Sequence, residues 1–118
     1  MYHSEISQLS RLVEYQTDAV VSNTLMKKDK GNVTVFAFDK DQGLSEHSAP
    51  FDALVTIIDG EGIIVLAGKE YKLKAGEAII MPANIPHAVI AKMAFKMMLV
   101  ISPRQDHDLV RGIAEWIF

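Results

Sequence analysis

The sequence predicts an all-β domain, a sandwich or barrel of short antiparallel strands, and three observations carry that prediction. Short apolar runs rich in Val, Ile and Phe recur from residue 19 to residue 101, as strands do. Between them stand turn signals such as Lys28-Asp29-Lys30-Gly31, Asp59-Gly60 and Gly68-Lys69, which punctuate strands because Gly and Asp accept turn backbones. Finally, the runs LVTII, IIVL and MMLVI are apolar at successive positions, whereas a sheet wetted on one face should alternate. Strands of that kind bury one face inside the domain and need a cover on the other.

Size and composition narrow the function classes. A chain of 118 residues is one ordinary domain, long enough to bury most of the apolar surface its unfolded form exposes. With 49% hydrophobic and 23% charged residues it reads as a soluble globular protein. A formal net charge of -3 gives no reason to expect nucleic acid or an anionic membrane as partner. The absence of cysteine excludes disulfides, thiolate metal sites and cysteine nucleophiles, and agrees with a reducing compartment. The first residues, MYHSEISQLSRLVEY, scatter their charges and lack the apolar core of a signal peptide, and no apolar run reaches membrane-spanning length. A cytoplasmic location is the expectation.

Taken in order, residues 1–18 read as an arm. Ile6, Leu9, Leu12 and Val13 fall at the spacing of a short helix or an irregular segment that lays one apolar face on the body. Residues 19–26 and 32–38 are β-leaning and flank a charged turn, so they form a strand pair whose lysines are a solvated hairpin tip. Further strands are expected over residues 44–47, 53–58, 63–67, 71–74, 77–81, 87–91 and 94–101, and Ser102-Pro103 ends the last. Behind an acidic first turn, Leu109, Val110, Ile113, Trp116 and Ile117 stand at helical spacing, predicting a C-terminal amphipathic helix. Its apolar stripe is expected to pack against the domain. The chain is thus one domain with an arm (1–18), a β body (19–103) and a terminal helix (104–118).

Two stretches share one layout. In GLSEHSAPFDALVTIIDG, residues 43–60, a polar segment with His47 leads into an apolar strand and an Asp-Gly turn; in GEAIIMPANIPHAVIA, residues 76–91, a glycine turn, a strand and a proline-bent loop lead to His87. The first stretch sets His47, Ala49, Ala53 and Gly60 at the places where cupins carry His-X-His, a Glu three or four residues on, and a Gly after six more. The second sets Gly76, Pro82, Asn84, His87 and Ala91 at the places of Gly, Pro-X-Gly, His and Asn. In spacing the chain resembles a small single-domain cupin of the RmlC-like kind. The resemblance implies a jelly-roll barrel, the double-stranded β-helix, and a site inside it.

By strand alternation, an inward His47 brings Ser45 and Ala49 inward with it. Ala53, Val55 and Ile57 then face in while Asp52, Leu54, Thr56 and Ile58 face away; His87, Val89 and Ala91 face in, as do Phe95, Met97, Leu99 and Ile101 on the last strand. The expected ligand pocket is His47, Ala49, Ala53, Val55, His87, Val89 and Met97, with His47 and His87 as candidate catalytic residues. Relatives with a full ligand set hold a divalent metal, and here His47 and His87 are the remaining metal candidates, since alanine stands at the other two places. Two imidazoles fall short of the 2-His-1-carboxylate arrangement and of the three protein ligands of catalytic zinc. Asp52 and Glu46 are one residue out of register. Met81 or Met97 are soft donors whose usual role is to fill a core. No cofactor is required on this reading, and any divalent metal is weakly held.

Imidazoles titrate near neutrality, so the pair can exchange protons with a bound molecule or orient its carboxylate or hydroxyl. Ser45 and Ser48 lack the acid context of a hydrolase triad, and His3 and His107 lie in terminal segments. Three readings follow: a small-molecule-binding protein headed by two histidines; a metal-dependent oxygenase or isomerase with a third ligand from outside the motif places; and an interaction module with a vestigial pocket. The partners expected are a small organic ligand and a second copy of the chain. The dimer face is expected to be an apolar outer sheet face formed by Leu54 and Ile58 with Ile64 and Leu66, or with Ile63 and Val65.

Overall fold

The computed structural model describes residues 1–103, so the predicted C-terminal helix lies outside the described residues. Nine antiparallel strands make up the body: β1 (Val20–Lys28), β2 (Gly31–Phe38), β3 (Gly43–His47), β4 (Phe51–Asp59), β5 (Glu61–Leu66), β6 (Lys69–Lys74), β7 (Ala78–Met81), β8 (His87–Ile90) and β9 (Phe95–Pro103). They divide into a five-stranded sheet in the order β1-β2-β9-β4-β7 and a four-stranded sheet in the order β3-β8-β5-β6. This is the expected two-sheet jelly roll, in which chain neighbours repeatedly cross from one sheet to the other.

Alternation decides what each strand buries. Along β4, Ala53, Val55 and Ile57 are buried while Leu54 is exposed, so the apolar LVTII run splits between the two faces of its sheet. The core between the sheets is built on Phe38, Val55, Ile57, Ile64, Phe95 and Met97, all at or below 1% exposure. Phe38 and Phe95 stack at 4.9 Å between ring centroids. The tight turn between β4 and β5 falls on Gly60, at φ 74°, where an added Cβ would stand 2.7 Å from the Ala94 carbonyl oxygen, so a side chain has neither the backbone conformation nor the room.

Exposure grades along the barrel axis. On β9, Phe95 and Met97 are buried whereas Leu99 and Ile101 are only half-buried, which makes one end of the barrel a packed floor and the other a mouth. The arm lies outside the barrel. It crosses the outer face of the five-stranded sheet, where Leu12, Val13 and Tyr15 pack on Val21, Val35, Ala37, Ile58 and Met98.

Of the two forms expected for the arm, it takes the irregular one, with a 3-10 turn at Leu9–Arg11, Leu12 and Val13 against the body and Ile6 fully exposed. The expected dimer face is corrected. Leu54 and Ile58 share no sheet face with Ile63–Leu66, because β4 and β5 lie in different sheets; Ile58 is moreover covered by the arm.

Candidate functional site

His47 ends β3 and His87 opens β8, and these strands pair with the two histidines directly opposite. A β-bulge intervenes, since Leu44 faces Val89 and His47 faces His87, so one extra residue sits on β3. The bulge changes the parity. Leu44 packs on the core while Ser45 is exposed, the reverse of the expected inward Ser45.

The loops behind the histidines are tied together. Ala83 N donates to Asp52 Oδ1 at 2.8 Å, Asn84 N to the Ala49 carbonyl at 2.7 Å, and Ala67 N to the Pro86 carbonyl at 2.8 Å. Asn84 takes a left-handed backbone, φ 64°, a conformation Asn tolerates. Asp52 is thus tied to the loop on the other side of the site. It faces outward, as its register requires, and fixes the loop that delivers His87.

The imidazoles meet edge to face with Nε2 atoms 3.0 Å apart. His47 Nδ1 lies 3.0 Å from the Ser45 carbonyl and His87 Nδ1 lies 3.2 Å from the Ile85 carbonyl. Each of these three contacts needs one hydrogen, and two neutral rings carry one N–H apiece. All three are satisfied only when the pair holds one extra proton, or when a cation replaces the central hydrogen. Burial, with His87 at 8% exposure, pushes its pKa below the ordinary imidazole value, opposed by the Ile85 carbonyl and reinforced by His47. A neutral His87 that donates Nδ1–H to the Ile85 carbonyl turns Nε2 to the His47 ring as an acceptor.

Of the other expected pocket residues, Ala53 lies on the inner face at 6% exposure and Ala49 is half-buried in the loop after β3. Val55, Val89 and Met97 are packed core at 3% or less, below the mouth. Sequence reasoning left out Leu66, paired with His87 across β5 and β8, and Phe36, while Leu99 and Ile101, expected on the inner face, are half-buried around the core. Leu66 reaches the site through a pairing between distant strands, which strand periodicity does not reveal. Met81 belongs to the core at 4% exposure, and His3 is exposed.

The donor set tests the metal reading. Two ligands each about 2.1 Å from one ion and at right angles to it stand about 3.0 Å apart, so the histidine pair alone fits one edge of a coordination sphere. Beyond that edge, no group of three or more His, Cys, Asp or Glu among the described residues could hold a metal ion. Among the described residues, the histidine pair supplies two of the three or more protein ligands that a tightly held metal needs.

Other proteins share this architecture. A family model for the cupin domain matches residues 34–102. A conserved Streptococcus pyogenes protein of unknown function is 37% identical, with a TM-score of 0.84 over 90% of this chain and 93% of that one. A cupin 2 conserved barrel domain protein from Leptotrichia buccalis is 44% identical, with a TM-score of 0.76, over 79% of this chain and 45% of that one. A cupin superfamily protein from Desulfitobacterium hafniense is 25% identical with a TM-score of 0.83, covering 88% of this chain and 95% of that one. No curated protein matches. The family model spans more than half of the sequence and fits the same two-sheet barrel, so the chain belongs to the cupins.

Proposed function

We propose that the barrel binds a small organic acid, its carboxylate at the His47–His87 pair and its apolar part against Leu66, Leu99 and Ile101 at the mouth. One observation carries this reading: three hydrogen-bond contacts around two imidazoles need three hydrogens. The pair completes its own bonding by taking up a proton, and the resulting single positive charge at an apolar mouth selects an anion. No metal is needed for binding.

Thermal shift of metal-free protein with a panel of small carboxylates and size-matched neutral sugars tests it. Carboxylates should raise Tm, and more so at pH 6 than at pH 8, with about 2.7 kcal/mol of stabilisation at a hundredfold excess over Kd. His47→Ala and His87→Ala should lose the response. Sugars acting as well as acids, or an unchanged response in His47→Ala, overturns it.

The 3.0 Å separation of the Nε2 atoms also favours a second reading, a metal-dependent enzyme whose remaining ligands come from outside the motif places. Metal analysis of protein purified without chelator distinguishes the two: a stoichiometric divalent ion supports the second. A chain that retains no metal and responds to no small ligand is the interaction module.

A further inference from the structure

On its inner face the five-stranded sheet is apolar on one side and hydrogen-bonding on the other. Phe36 packs on the barrel core whereas Val35 and Ala37 belong to the outer cluster under the arm, so Thr34 and Asn32, on the same parity as Phe36, share the inner face. The pairing registers carry that face across the sheet. At the mouth, Ala53 on β4 faces Ile101 on β9, which faces Asn32 on β2 and then Lys27 on β1; one level deeper, Val55, Leu99, Thr34 and Thr24 stand in the same order. Between β9 and β2 the wall changes from aliphatic side chains to an amide and two hydroxyls, with an exposed ammonium at the edge.

These polar groups have bonding capacity left over. Thr24 and Thr34 Oγ1 lie 3.2 Å apart; two hydroxyls bring two hydrogens and this contact uses one. The side-chain amide of half-buried Asn32 has no hydrogen-bond partner among the described residues. Topology sets the wall across from the histidines. β2 runs from the mouth at Asn32 to the floor at Phe38, and β3, next in the chain but in the other sheet, runs back to end at His47.

We propose, building on the carboxylate reading above, that the ligand is a hydroxy acid: its carboxylate sits on the histidine pair, its methylenes on Leu99 and Ile101, and its hydroxyl on Asn32 and the Thr24–Thr34 pair. A hydroxyl both donates and accepts, which matches an amide beside a hydroxyl with a free hydrogen; a second carboxylate only accepts, and a methyl does neither. Lys27 is exposed, so water screens its attraction for a second carboxylate. A six-carbon chain, roughly 6–7 Å end to end, suits facing sheets about 10 Å apart.

Thermal shift of the metal-free full chain at pH 6 with hexanoate, 6-hydroxyhexanoate and adipate tests the hydroxyl subsite. The hydroxy acid should bind about three- to tenfold tighter than hexanoate, and tighter than adipate. Asn32→Ala and Thr34→Val, which keeps the β-branched shape, should each bring it down towards hexanoate while hexanoate's own response stays, a loss of preference that mere destabilisation does not produce. Equal binding of hexanoate and 6-hydroxyhexanoate, both lost in His47→Ala, overturns the hydroxyl subsite and leaves the carboxylate reading standing. Adipate binding tightest overturns it in favour of Lys27, and a preference that survives both Asn32→Ala and Thr34→Val overturns it as well. No response to any of the three overturns it together with the carboxylate reading.

Discussion

At His87 the environment sets the sign of a pH dependence. Burial holds its pKa below the ordinary imidazole value, so between that lowered value and about 6.5 the unfolded chain binds more protons than the folded one. Stability rises with pH through this window and is level above it. Urea unfolding should give a constant midpoint above about pH 7 and a falling one on acidification, and His87→Gln should flatten that fall. The alanines permit a second prediction. Ala53 faces the barrel interior and Ala49 lies in the loop tied to Asn84, so Ala49→His with Ala53→Glu should create a four-ligand site that divalent metal stabilises by a few kcal/mol. A folded variant indifferent to metal refutes the geometry. The histidine pair was legible because motif spacing survives in the sequence even where the ligands do not. The inward Leu44 was not, because a bulge adds a residue without leaving a compositional mark.

Strands were legible as elements because their burial follows a period of two, as in β4 and β8. The arm takes the irregular of its two expected forms for a physical reason. Its carbonyls at Ser10 and Leu12 are taken by Lys96 and Asn23, partners far away in sequence, so an apolar spacing that looks helical needs no helix to satisfy its backbone. Two element-level tests follow. A Cβ added at Gly62 in β5 would sit 2.5 Å from the Phe95 ring, which is fully buried and stacked on Phe38 and has nowhere to go. Gly62→Ala should destabilise by about 1–3 kcal/mol in chemical denaturation. Asp52→Ala removes the acceptor for Ala83 N and should cost about 1.5–3 kcal/mol. Its distinctive sign is a displaced His87, visible as altered imidazole shifts in NMR.

For the whole molecule, the two-sheet architecture was legible but the assignment of strands to sheets was not. Leu54 and Ile63 read as one face because β4 runs straight into β5 through a tight turn, yet the chain changes sheet there. Register is a property of pairings between distant segments, and local periodicity carries no information about it. The placement of β9 has a consequence in time. It is the last strand in the described order and the middle strand of its sheet, bonded to β2 on one side and β4 on the other. Until Phe95–Pro103 has been synthesised, β2 and β4 have no neighbour to bridge them, and the half-finished chain exposes their apolar faces and open edges. The five-stranded sheet can therefore close only once β9 has been made. Refolding in vitro should run in milliseconds to seconds, as closure between distant segments dictates, and a nascent chain stalled before residue 95 should be the form that chaperones hold and proteases cut.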